Sequence, residues 1–384
     1  MRVDRRQVVR ARLAAHGLHR RAPAGELLAA AGRAGVQHTP PGSAALTLHT
    51  RLDGLTPGDV SAALLDSKDL IQVWSLRGAP HVVPTTDAAV FTAGLRPDDE
   101  ESCARFIQGA RDHLTKFGLD ASTAVRLTLD ALPDALDGTP TKDELGQRLA
   151  KLVRPEISPK KVWDSPDGLR SNTHGESLVR FALYVAGLSA TVCFVPETSP
   201  ARFTSTREWL GKPLPHNDDA RAELVRRFLR CHGPAGPGAF AWWTGASPAF
   251  AERSWALVAG ELTEVDYAGR RCWAVDADLL RDPPEPDGVR LLPPYDPYLA
   301  TKDKATVVPD KAWHQRVWRF SGNPGVVLDR GEFAGVWRPR KQGRRLTVRV
   351  ETAADLPRRT REALEREAAS MAPFRDVDTV SVEF

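Results

Sequence analysis

Three adjacent polar side chains, Gln37, His38 and Thr39, stand in the stretch GVQHTPPG. The amide carbonyl of Gln37 can accept a hydrogen bond from water. The Thr39 hydroxyl can accept a second hydrogen bond, more weakly than a carboxylate would. An imidazole with an ordinary pKa of ~6.5 gives His38 the capacity of a general base near neutrality. No pair of carboxylates flanks the triplet. On residue types alone, such a triplet is most often a capped loop between helices. A second cluster runs from Trp337 to Arg345 and places Arg338, Arg340, Lys341, Arg344 and Arg345 around a turn at Gly343. Those cations can neutralise phosphates, and release of condensed counterions would then drive affinity. Trp337 could stack on a base, although a tryptophan before an Arg-Pro step is more often core. Arg5, Arg6, Arg10 and Arg12 make a weaker basic patch.

The elements that must position these residues follow a repeated order of helices and then a short apolar strand pair. Helical spacing covers Asp4–Ala15, and Gly25–Ala34 and Ser43–Leu52 read as the next helices. Thr56-Pro57 opens another, with proline suited to a first helical turn. The run LIQVWSLRGAPHVVP, broken at Arg77-Gly78-Ala79-Pro80, predicts a hairpin. His81 follows that turn and suits a structural hydrogen bond. A second round starts near residue 98, where Thr141 and Glu144 have capping-box spacing, Ser171–Ala186 is amphipathic, and TVCFVP is a strand. A third round ends in ELTEVDYAGRRCWAVD, a hairpin around Gly269. Its Trp242, Trp243 and Trp255 fall at helical positions and are expected in the core. Helices followed by a two-stranded wing are the plan of a winged helix-turn-helix.

After the Pro-rich DPPEPDG the composition shifts to short strands with turns at Asp329-Arg330-Gly331 and Lys341-Gln342-Gly343, then one helix over roughly 357–371. The expected fold is therefore α+β, with three tandem winged helix-turn-helix repeats and a small β-rich C-terminal module. The expected segments are 1–97, 98–214, 215–281 and 288–384.

The composition is compatible with this plan and excludes others. The chain has 384 residues, 42% hydrophobic and 27% charged, enough for a sizeable core and against wholesale disorder. No apolar run approaches the ~18 residues of a membrane span, and the charged N-terminus lacks a secretory apolar stretch. A cytoplasmic protein is expected, without a membrane or protein partner, as a monomer. Cys103, Cys193, Cys231 and Cys272 are scattered, with neither zinc-ligand nor disulfide spacing, so no metal is called. Nucleotide-binding glycine motifs are missing, so no cofactor is called either. The net charge is only +4, but ten Lys/Arg between Lys311 and Arg349 face only Asp329 and Glu332. That asymmetry points to a polyanionic partner.

The blocks GVQHTPPGSAALTLHTRL, WSLRGAPHVVP, WWTG, LLPPYDPYL and GNPGVVLDRGEFAGVWRPRKQGRRL, in this order, resemble the bacterial winged-helix family of AlkZ- and YcaQ-type DNA glycosylases. The resemblance implies excision of bulky alkylated bases from duplex DNA, in some members as self-resistance of antibiotic producers. The family signature is a glutamine, an apolar residue and a second polar residue, glutamine or aspartate. Its positions here hold Gln37, His38 and Thr39. The resemblance thus implies a catalytic triplet whose middle residue is an imidazole and whose last is a hydroxyl. A guanine alkylated at N7 is already cationic and leaves without protonation, so water positioning by Gln37 would suffice. Without an adjacent lysine to form a Schiff base, excision by water without strand cleavage is expected. The alternatives are a non-catalytic DNA-binding regulator or lesion sensor and, less compatible with the basic hairpin, a protein-interaction scaffold.

Overall fold

A computed structural model describes residues 1–168, 171–319 and 321–384. The chain mixes helices and strands, as the α+β reading requires, and divides into two units. The first comprises Met1–Asp66, Val225–Ala239 and Val258–Phe384; the second comprises Ser67–Leu224 and Phe240–Leu257. The expected segment 1–97 is thus shared between the two units, and 215–281 changes unit three times.

The first unit begins with helix Arg5–Ala15. Asp4 accepts from the Gln7 main chain while the Gln7 side chain returns to Asp4, so two orphan N–H groups of the first turn are satisfied. Strand Arg2–Val3 lies parallel to Thr263–Tyr267, which pairs antiparallel with Arg270–Ala274. The turn between those strands uses Ala268 and Gly269, both at positive φ, which matches the twist of a two-residue hairpin. A five-stranded sheet runs in the order Val289–Leu292, Gly325–Asp329, Glu332–Gln342, Arg345–Thr352 and Thr379–Glu383. The first four strands are antiparallel neighbours. The last returns parallel after helix Arg358–Ser370. Leu364 and Ala368 of that helix cover Leu291, Val327, Leu346 and Val348. The opposite face of the sheet buries Leu292, Val326, Leu328 and Val336 with Tyr298 and Trp313.

A charge network is also buried here. Arg51 donates to both carboxylate oxygens of Asp296 at 2.8 and 2.7 Å, with side-chain exposures of 4% and 0%. The remaining Arg51 donors reach the main-chain oxygens of His16 and Thr47, and Asp296 accepts from the Tyr298 N–H. The pair links the LLPPYDPYL segment to the end of helix Ser43–His49.

In the second unit, strands Leu70–Trp74 and Pro80–Pro84 form the expected hairpin. Val192–Val195 also has a partner, Arg202–Ser205, which sequence reading missed. Helices Lys142–Val153 and His174–Ala186 both open with capping boxes, from Thr141 with Glu144 and from Thr173 with Glu176. Trp74 stacks on Phe203 with ring centroids 4.7 Å apart, in a core that also holds Phe194, Leu145, Leu149 and Leu183. The acidic run at 98–101 is spent on ion pairs and caps. Asp98 and Asp99 receive Arg253, Asp98 also receives Arg221, and Glu100 caps Ala121 and Ser122.

Candidate nucleic-acid site

Gln37 ends the two-residue strand Val36–Gln37. Val36 is buried, and by strand alternation Gln37 turns the other way, where it is half-buried. The chain then passes Thr39-Pro40 to Gly42, whose φ of 82° lies in the left-handed region that glycine supplies at low cost. Helix Ser43–His49 starts there, and the Ser43 hydroxyl donates to the Gln37 main-chain carbonyl at 3.1 Å. The start of the helix therefore holds the Gln37 backbone and leaves its side-chain amide for other partners. His38 is engaged differently: its Nε2 accepts from the Gly42 N–H at 3.4 Å. That lone pair serves the loop. Thr39 is half-buried. Of the triplet, His38 is committed to the loop, whereas neither the Gln37 amide nor the Thr39 hydroxyl hydrogen-bonds to it.

His81 is buried, its ring hydrogen-bonded through Nδ1 to the Ala79 carbonyl at 3.0 Å. Burial pushes its pKa down to about 3, so it stays neutral through the physiological range. The four cysteines are free thiols, three of them buried. Among the described residues no three His, Cys, Asp or Glu gather as a metal site, and no helix is long and apolar enough to cross a membrane.

The basic hairpin is strands Glu332–Gln342 and Arg345–Thr352, and its register sorts the cations. Residues directly opposite in an antiparallel pair share a face. Leu346, Val348 and Val350 face the core beneath helix Arg358–Ser370, so their partners Lys341, Pro339 and Trp337 face that side too. Arg338, Arg340 and Gln342 face the other way, beside Arg349, Thr347 and Arg345. Trp337 must accordingly be removed from the DNA contacts. It is 0% exposed, and its Nε1 donates to the Leu292 carbonyl at 2.8 Å. Its cross-strand neighbour Gly325 makes the room, since a Cβ there would lie 2.1 Å from the indole nitrogen. Alternation along the strand, readable from Arg338, Arg340 and Gln342, was the signal for this.

The five cations also differ in how they are neutralised. Arg344 donates to both oxygens of Asp378 at 2.7 Å and to Asp376 at 3.1 Å. The hydrogen bonds to Asp378 raise its pKa and lower that of the carboxylate. Lys341 donates to the Arg375 carbonyl at 2.8 Å, with Asp376 at 3.9 Å. Arg338 makes one hydrogen bond, to the neutral Gly322 carbonyl at 3.2 Å. Arg340 and Arg345 are exposed and have no partner among the described residues. Sequence reading missed Arg349, which is opposite Arg338 and bonded to Glu383 at 2.8 Å. One sheet face thus carries three arginines with uncancelled charge, together with Gln342, Thr347, Thr379 and Ser381. Guanidinium and hydroxyl donors on a flat surface suit phosphate oxygens.

The sequence profile of the AlkZ-like DNA glycosylases matches residues 30–374. Curated proteins yield no match. Among solved structures, the Streptomyces sahachiroi DNA glycosylase AlkZ superimposes with a TM-score of 0.73, covering 100% of both chains at 23% identity. At that identity the likeness is one of fold.

Proposed function

Since this chain belongs to the AlkZ-like DNA glycosylase family, we propose that it hydrolyses the N-glycosidic bond of bulky N7-alkylated purines in duplex DNA. The carrying observation is the family match across residues 30–374, which includes the Gln37 loop and the arginine face of the C-terminal sheet. In this reading Gln37 orients the attacking water through its amide oxygen and faces the cationic sugar. An N7-alkylguanine takes the bonding electrons of the glycosidic bond and leaves as a neutral base. Water supplies the new bond to C1′ and releases its second proton to solvent. Thr39 provides a second acceptor at the sugar, and His38, whose Nε2 serves Gly42, shapes the loop.

The helix-plus-hairpin successions act as winged helices, and Arg338, Arg340 and Arg345 hold phosphates. A monomer working in the cytoplasm without cofactor completes the proposal, with protection against a DNA-alkylating natural product as its biological setting. The threonine at the third signature position favours one alternative, a winged-helix protein that binds lesions without cutting them. Incubation with duplex DNA carrying defined N7-alkylguanines decides between them. Released modified base supports the enzyme, whereas tight binding with no release supports the binder.

A further inference from the structure

Helix Pro237–Thr244 carries two adjacent indoles with opposite fates. Trp243 is 1% exposed and lies near Phe240, as the core reading expects. Trp242 is 39% exposed. Arg77 reaches it from the turn between strands Leu70–Trp74 and Pro80–Pro84, placing its guanidinium carbon 5.8 Å from the Trp242 ring centroid. Arg77 adopts a φ of 54°, a left-handed conformation disfavoured for any side chain with a Cβ. Gly245, at φ 82°, makes the room: a Cβ there would meet the Arg77 Cγ at 3.1 Å.

Part of this arrangement is structural. Arg77 Nη1 donates to the Trp243 main-chain carbonyl, in the last turn of a helix where carbonyls lack partners. A helix cap needs no more than that one donor. Nε and Nη2 have no partner among the described residues, and the side chain is exposed. Burial of the guanidinium disfavours its charge and lowers its pKa to about 10.

We propose that Trp242 and Arg77 form a nucleotide site within the second unit, with an unstacked DNA base lying on the indole and its phosphate taking the Arg77 Nε and Nη2 donors. A planar guanidinium offers two parallel N–H groups to one phosphate, and an exposed indole stacks any base. Intact duplex offers no free base face, so the site selects DNA in which a nucleotide has left the stack. This rests on the DNA reading above.

The full-length protein is titrated against two duplexes, one fully paired and one with a single extrahelical 2-aminopurine. Wild type should prefer the bulged duplex and quench its fluorescence. Trp242→Leu should weaken binding to the bulged duplex about tenfold, within the range for one stacked base, and leave the paired duplex unmoved. Trp242→Phe should restore most of that affinity. Melting curves check that Trp242→Leu remains folded, as an exposed position allows. Unchanged preference and quenching in Trp242→Leu would overturn the site and leave the glycosylase reading intact. A wild type that binds neither duplex overturns both.

Discussion

Replacing Arg340 and Arg345 together with alanine should change how salt acts on DNA affinity. Both side chains lie on the outer face of the C-terminal sheet and have no partner among the described residues, so their full charge is available to phosphates. Removing one arginine–phosphate pairing lowers the slope of log affinity against log salt by ~0.9, so the double variant should flatten it by ~1.8. Over a fourfold rise in salt, affinity should then fall roughly tenfold further in wild type than in the variant. Arg344→Ala is the internal control. Its guanidinium is already held by Asp378 and Asp376, so its removal should leave the slope nearly unchanged. Glu383→Gln should do the opposite and steepen the slope by up to ~0.9, because it frees Arg349 on the same face. Fluorescence anisotropy with an undamaged duplex from about 50 to 200 mM salt reads all three. An unmoved slope in the double variant, or an equal drop in Arg344→Ala, would refute the face assignment.

Gln37→Ala should slow single-turnover excision by ~100-fold with DNA affinity retained, and an unchanged rate would remove Gln37 from the chemistry. Thr39→Gln or Thr39→Asp should alter which alkylpurines are accepted; identical adduct profiles would show that the position does not set specificity. Asp296→Ala leaves the buried Arg51 charge uncompensated and should cost about 3–5 kcal/mol, read as a lower urea midpoint. A midpoint that stays in place would mean that the pair contributes little. His81, with its pKa near 3, and His49, held near 4 chiefly by burial, stay neutral in the folded chain. The unfolded chain binds those protons near pH 6.5. Stability should therefore fall as pH drops below about 6.5, by up to ~1.4 kcal/mol per unit for each histidine. Equal unfolding midpoints at pH 7 and pH 5 would exclude this.

Local chemistry was legible wherever it is encoded within a few residues. The capping box at Thr141 and Glu144, the hairpin around Gly269 and the helix at 358–370 all follow from such signals. The second sheet turn falls at Gly343 and Arg344, one residue beyond the expected triplet, because Gln342 still pairs with Arg345. Long-range partners were not legible. Nothing near Arg344 announces that Asp378 will neutralise it, and nothing near Arg51 announces Asp296. The tryptophans show the same limit. Trp242 was expected in the core and Trp337 among the DNA contacts, and the fold reverses both, exposing the first and burying the second. At the candidate site, the signature positions around Gln37 were found by resemblance. That His38 Nε2 serves the Gly42 amide could be learned only from the fold.

The discontinuity of the first unit sets a timetable for biosynthesis. Residues 1–66 leave the ribosome well before 258–384, the segment that completes their unit. At roughly 5–20 residues per second, the separation of about 190 residues amounts to ~10–40 s. Throughout that interval Val9 and Leu13 lack the partners they later find in Tyr298 and Trp313, and Arg51 waits for Asp296. Ser67–Leu224, by contrast, is nearly a whole unit in one continuous stretch and can collapse as it emerges. The nascent chain thus holds an unfinished, partly apolar N-terminal segment ahead of a folded middle. Slowed translation between codons 67 and 257 lengthens its exposure to proteases and to chaperones that bind apolar segments, without altering a residue of the finished protein.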